Sequence, residues 1–159
     1  MRGLLRGGVA LGIALLVVLT GCGQSGEPPR DASGKITAPA TANSNALRVG
    51  DCITSVSDLG GEVMKIPVTP CEQPHEAEIY AERPLTDAEG ASSAPTIAQD
   101  FCSAQFQEFI GRPFDSESTL EITSLYPTPK SWDRGDRVIQ CIVYDKKGGI
   151  TGTLKGANR

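Results

Sequence analysis

The chain is short of the residues that carry most enzymatic chemistry. It has one histidine and one tryptophan in 159 residues, and aromatics are 5% of the total. A single imidazole leaves little room for histidine-built metal centres or histidine-based acid–base pairs. There is no C-x-x-C, no H-E-x-x-H, no G-x-S-x-G, no S-x-x-K and no glycine-rich phosphate loop. Beyond residue 21 there is no long apolar run. The length excludes a large multidomain enzyme, a (β/α)8 barrel and a long coiled coil. No catalytic residue, cofactor or metal ligand is therefore assigned. Carboxylates are plentiful enough for an acid pair, but their density fits a solvated surface better.

What is present starts with a targeting segment. Arg2 and Arg6 precede an apolar run of 11 residues, 9–19. That is too short to span a bilayer, which takes about 20 residues, but it suits a signal-peptide core. It ends in Leu19-Thr20-Gly21-Cys22, the pattern of a bacterial lipobox. Small residues let the peptidase close on the backbone, and the Cys22 thiol takes up the diacylglycerol. Residues 1–21 read as a lipoprotein signal peptide and Cys22 as the lipidation site. Removing them takes away Arg2 and Arg6 and no acid, so the formal charge moves from −4 to −6. Two acyl chains give stable anchoring where one is marginal. The expected location is the extracytoplasmic face of the cell membrane, lipid-anchored.

Residues 22–46 read as the lipidated cysteine and a disordered linker. Gly, Pro, Ser, Thr, Ala, Asn and Gln fill 19 of the 24 positions from 23 to 46, and Ile36 is the only large apolar side chain. Such a segment is expected to bury too little to offset its ordering entropy. Residues 47–159 form the expected domain, in which Leu, Ile, Val and Phe make up 25 of 113 positions. A core that thin calls for covalent help.

Within the domain, residues 48–53 and 63–68 are short strand candidates. Residues 75–82 alternate, with Ala77 and Ile79 on one face and Glu76, Glu78 and Glu82 on the other, which predicts a half-buried strand. Residues 87–95 read as an exposed loop. Residues 96–111 predict the main helix, with Ile97, Phe101, Cys102, Phe106, Phe109 and Ile110 at helical spacing and Gly111 as the stop. Residues 120–126 and 137–144 predict strands, and 147–149 a turn into a hairpin partner at 150–154. The fold class is α+β, a small antiparallel sheet packed on one main helix.

With Cys22 on lipid, Cys52, Cys71, Cys102 and Cys141 remain in an oxidising setting, and four cysteines allow three pairings. Cys52–Cys71 and Cys102–Cys141 are favoured. The first ties neighbouring strand regions. The second joins the apolar face of the helix, beside Phe106 and Phe109, to the strand face of Ile139 and Val143. Spacings of 19, 31 and 39 match no zinc-ribbon pattern.

His75 is expected to support the fold by bonding backbone near the first bridge. A metal or base role beside Glu76 is the sharper reading, which a strand geometry opposes by placing the two on opposite faces. Charge is uneven. Residues 51–121 carry 14 acids against 3 bases, and residues 130–159 carry 7 bases against 3 acids. The acidic part repels nucleic acid, so none is expected as a partner. It could instead face a basic protein. Arg134-Gly135-Asp136 matches an integrin-binding tripeptide by chance. Trp132, with Tyr126, Pro127 and Pro129, belongs either to the core or to a small groove, and the core is the simpler placement.

Several segments together resemble a known family. They are Val49-Gly50-Asp51-Cys52, Pro74-His75-Glu76-Ala77-Glu78 after Cys71, and Cys102 in a helix. Trp132 with Gly135-Asp136-Arg137 follows, then Cys141, and Thr151-Gly152-Thr153-Leu154-Lys155-Gly156. The series resembles the septum-formation-related domain family of actinobacterial lipoproteins and membrane proteins. The resemblance implies a small disulfide-bonded extracytoplasmic domain with a role in division-septum assembly and no established enzymatic activity. Pro74, His75, Glu76, Trp132, Gly135, Asp136 and Arg137 carry over as motif residues of unassigned role. The expected function is a non-catalytic interaction module with a protein partner in the cell envelope. The alternative is a lipoprotein that binds a small ligand or wall fragment, marked by an apolar pocket beside Trp132.

Overall fold

A computed structural model describes residues 26–59, 65–115 and 118–159. The expected signal peptide and Cys22 lie outside the described residues. Six strands form one antiparallel sheet: β1 (Ala40–Asn43), β2 (Cys52–Ile53), β3 (Lys65–Thr69), β4 (Ala77–Pro84), β5 (Leu120–Leu125) and β6 (Val138–Asp145). Their spatial order is β1-β3-β2-β4-β6-β5. The main helix, α1 (Gly90–Ile110), covers one face, and a single turn, α2 (Pro129–Trp132), precedes β6. This is the expected α+β architecture.

The helix packs as its periodicity predicts. Ala94, Ala98, Cys102, Phe106 and Ile110 recur every four residues and are buried. They meet Tyr80, Leu120, Ile139, Cys141 and Val143 of the sheet. Gly111 ends the helix at φ 94°, in the left-handed region that glycine enters without steric cost. The helix begins earlier than expected. Residues 90–95, read as loop from their small and polar composition, are its first turns. Two features make this possible. Glu89 Oε2 accepts from the Thr86 amide at 2.7 Å and from its hydroxyl at 3.0 Å, a reach-back of the capping-box kind. Ala94 is small enough to lie fully buried against the sheet.

The N-terminal segment overturns the linker expectation over residues 26–46. β1 pairs with β3 from Ala40↔Val68 to Asn43↔Lys65. Ile36, Ala42 and Leu47 are buried with Ile53, Ile66, Val68, Ala77, Ile79 and Ile142 in a second core on the other sheet face. The Arg30 guanidinium, 8% exposed, forks onto Asp51, with Nη1–Oδ1 2.6 Å and Nη2–Oδ2 2.7 Å. It also donates to the carbonyls of Gly34 and Ala46. Backbone ladder bonds and one bidentate ion pair require no rich apolar composition, which is why the residue count misleads.

Two further expectations change. Residues 48–51 are a turn before β2, closed by the Asp51 amide on the Arg48 carbonyl and the Arg48 amide on Asp51 Oδ2. Residues 150–154 do not form a hairpin with β6, whose edges are taken by β4 and β5. Ile150 instead bridges His75, and the tail crosses back over the sheet to α1. There the Gly156 and Asn158 amides donate to the Phe109 and Ile110 carbonyls.

Arg159 closes this tail onto buried Asp145 at 2.7 Å. Burial alone raises the Asp145 carboxyl, but the Lys147 amide, the Thr119 hydroxyl and Arg159 outweigh it and hold it below its ordinary 3.8. A depressed carboxyl adds stability above its unfolded pKa and loses it as pH falls through its folded pKa. Asp145→Asn is thus expected to be less stable than the natural chain at pH 7. The gap should close below about pH 4, as read by urea unfolding across pH. A gap that persists at pH 2 would assign the loss to packing instead.

Candidate functional site

Both disulfides form as paired above, Cys52–Cys71 and Cys102–Cys141, each with Cα atoms 5.3 Å apart. Cys102–Cys141 joins α1 to β6 inside the first core. Cys52–Cys71 lies at the end of the short β2, where the chain enters β4, and it forms part of a cavity wall.

That entry is held by the Pro74-His75-Glu76 segment. His75 is buried. Its Nδ1 donates to the Gln73 carbonyl at 2.8 Å, and its buried Nε2 has no hydrogen-bond partner among the described residues. Its amide and carbonyl pair with Ile150. Glu76 turns away and caps the Val56 amide at 2.8 Å. His75 and Glu76 thus fix loops to the sheet. His75→Ala is expected to cost about 1–2 kcal/mol in unfolding free energy, measured by urea denaturation. Metal content of the purified protein should not change. Stoichiometric metal lost on substitution would reject the structural role.

Glu78 departs from the alternation. The face given to Glu76, Glu78 and Glu82 is not solvated at its centre. Glu78 is 2% exposed and Tyr80 4%. The Glu78 carboxylate accepts from Thr153 Oγ1 at 2.6 Å and the Leu154 amide at 2.7 Å, which pins the C-terminal tail. One of its oxygens lies within 4.8 Å of both sulfurs of Cys52–Cys71. Those sulfurs are bonded to each other. The Tyr80 hydroxyl donates to the Cys102 carbonyl at 2.6 Å, and burial pushes its phenol above the ordinary range. Tyr80 is also the extra residue of a bulge, since Ile79 faces Ile142 and Ala81 faces Cys141. The bulge turns Ala81 onto the α1 face beside Tyr80, so strict period two fails after Ile79.

Above Glu78 opens a cavity of about 720 Å3. Glu78, Tyr80, Phe109 and the Cys52–Cys71 bridge line it, with Ile36 from the N-terminal segment and Thr153 from the tail. Lys35, Lys155, Glu72 and Glu108 also border it, all exposed. A second hollow of about 300 Å3 lies on the other side, beside Glu82 and Gln140.

The Trp132 motif is elsewhere. Gly135, at φ 92°, turns the chain after α2, and Asp136 Oδ1 accepts from the Val138 amide. The Arg137 guanidinium stacks 3.7 Å from the centre of the half-buried Trp132 ring and donates to the Trp132 and Asp136 carbonyls and to Asp87. Trp132 packs on the first core and lines neither cavity. The motif sits where Pro84 pairs with Val138, whereas His75 sits beyond the Ala77–Tyr144 end. Six steps along β6, from Val138 to Tyr144, at about 3.3 Å each, keep the two motifs about 20 Å apart. They do not form one site.

A family model described as septum formation matches residues 49–158. The chain belongs to the septum-formation family. No curated protein and no solved structure matches it. In this septum-formation domain the matched stretch holds both disulfides, the Glu78 clamp and α1. Arg30 and β1 precede the match yet complete the sheet and the second core. The cavity joins both parts, because Ile36 and Lys35 come from before the matched residues and Lys155 from its last turn.

Sequence reasoning missed Glu78 and the Arg30–Asp51 pair. The signal for Glu78 was Tyr80. A large aromatic two residues on shares Glu78's face and needs burial, which puts the carboxylate under cover with it.

Proposed function

We propose that this protein works in septum formation as a lipid-anchored, extracytoplasmic interaction module that carries out no reaction of its own. The observation that carries the reading is the septum-formation family match across residues 49–158. Two disulfides support an oxidising compartment. The Leu19-Thr20-Gly21-Cys22 lipobox supports anchoring in the cytoplasmic membrane, and among the described residues no helix is long and apolar enough to cross it. The partner is a protein of the cell envelope, met by the acidic surface of residues 51–121. The test is a fluorescent fusion followed through growth, together with a disruption strain. Signal at the septum and misplaced or delayed septa support the reading. Uniform membrane signal with normal septa rejects it.

Lipidation has its own check. Mass spectrometry of the membrane fraction should find a diacylglyceryl group on Cys22 as the mature N-terminus. Cys22→Ala should move the protein to the soluble fraction. An unmodified N-terminus elsewhere rejects the anchor.

The cavity over Glu78 supports a second reading, that the module binds a small ligand. Its volume falls in the range of small-molecule sites, about 300–1,000 Å3. The site lies at the Cys52–Cys71 bridge and not beside Trp132.

A further inference from the structure

Three carboxylates are buried among the described residues: Asp51, Glu78 and Asp145. Asp51 has Arg30 and Asp145 has Arg159 as cationic partners. Glu78, the most buried of the three, has no cation among the described residues. Its donors are a hydroxyl and a backbone amide, both neutral. A buried carboxylate is expensive unless a positive charge meets it. Glu78 and Asp51 both border the cavity of about 720 Å3, and of the two Glu78 alone lacks a cationic partner among the described residues.

We propose that this cavity binds a ligand bearing an ammonium group, which pairs with Glu78, and a carboxylate at its far end, which meets Lys155. The inference rests on the small-ligand reading above and adds its chemistry. Tyr80 and Phe109 line the same space, and an ammonium held near an aromatic ring gains further attraction. Glu72 and Glu108 at the border add negative field for the approach of a cation. Lys155 borders the cavity, is exposed and forms no ion pair among the described residues. Lys35 borders it as well, near Asp31. A bare dianion therefore meets Glu78 unfavourably, and a bare cation leaves the lysines unused. A zwitterion of amino-acid or peptide type satisfies both.

The test is a set of matched probes added to the full-length protein in detergent at pH 7 and followed by amide NMR. The probes are 4-aminobutanoate, n-butylamine, butanoate and the neutral sugar N-acetylglucosamine. Saturable shifts at Glu78, Thr153 and Leu154 are expected with 4-aminobutanoate, weaker ones with n-butylamine and none with butanoate. Glu78→Gln should weaken 4-aminobutanoate at least tenfold. Lys155→Ala should weaken 4-aminobutanoate and leave n-butylamine unchanged, and it carries the test if Glu78→Gln does not fold. Butanoate binding as tightly as 4-aminobutanoate, or a folded Glu78→Gln variant that binds equally well, overturns the proposal. Binding of N-acetylglucosamine with neither amine overturns the ammonium proposal and leaves the small-ligand reading standing. Silence from all four probes overturns both.

Discussion

Arg30→Ala is expected to lower the unfolding free energy by about 3–5 kcal/mol, the cost of leaving a buried carboxylate without its counter-ion. Asp51 is 3% exposed, and both its oxygens are taken by the Arg30 fork at 2.6 and 2.7 Å. The guanidinium that lies over it is itself 8% exposed, so water cannot replace it without opening the segment. Arg30 also holds the carbonyls of Gly34 and Ala46, at opposite ends of the stretch that contains Ile36 and β1. Its loss therefore frees the cover of the second core as well as the charge. For a domain whose total stability is of order 5–15 kcal/mol, that is a large share. Urea unfolding of the single variant and of the double variant Arg30→Met/Asp51→Asn separates the two parts. The double variant removes the charge and keeps an acceptor for the Arg48 amide, so it should recover much of the loss. A single variant within 1 kcal/mol of the natural chain would mean that the N-terminal segment adds little to the fold. A chain beginning at residue 47, the boundary that composition alone suggests, should unfold at markedly lower urea than one beginning at residue 26.

The contrast between what residue patterns reveal and what they hide follows from which forces are local. The helix is legible from residue 96 onward in its apolar spacing, because four-residue recurrence and burial are the same physical fact, whereas its first turns, 90–95, are not. The disulfides are legible in the parity of the cysteines and in the faces of Cys102 and Cys141, which periodicity already points at one another. The N-terminal segment is hidden because its order comes from long-range partners: a ladder with β3 and an ion pair across 21 positions. Composition measures the apolar area a segment brings and says nothing of an edge strand waiting for it. The bulge at Tyr80 is hidden for a related reason. Alternation is a property of one strand, whereas a bulge is a mismatch between two. The burial of Glu78 depends on the tail 150–158 crossing the sheet, which a hairpin reading of the same residues sends elsewhere. The candidate cavity is made of the parts that local reading lost, so it could not be placed from the motifs around His75 and Trp132. Those motifs turn out to fix a loop entry and a turn.

Replacing Cys102 and Cys141 together by alanine is expected to cost about 4 kcal/mol, against about 3 kcal/mol for Cys52 and Cys71, on chain-entropy grounds. The loops closed are 39 and 19 positions, and the longer one restrains the unfolded chain more. Packing widens the difference. Cys102 and Cys141 are 1% and 0% exposed and sit between Phe106, Ile139 and Val143, so their removal also leaves a void in the first core. Cys71 is only partly buried and faces the cavity, where water or neighbouring chain can fill the space. Thermal and urea unfolding of the two double-alanine variants should therefore rank Cys102/Cys141 as the more damaging loss. Partial reduction of the natural protein, mapped by thiol alkylation, should open Cys52–Cys71 first, because a thiolate reaches a sulfur only through accessible surface. Equal destabilisation and simultaneous reduction would show that the helix-to-sheet staple has no special weight. The reverse order would place the main mechanical support of this septum-formation domain at the cavity wall.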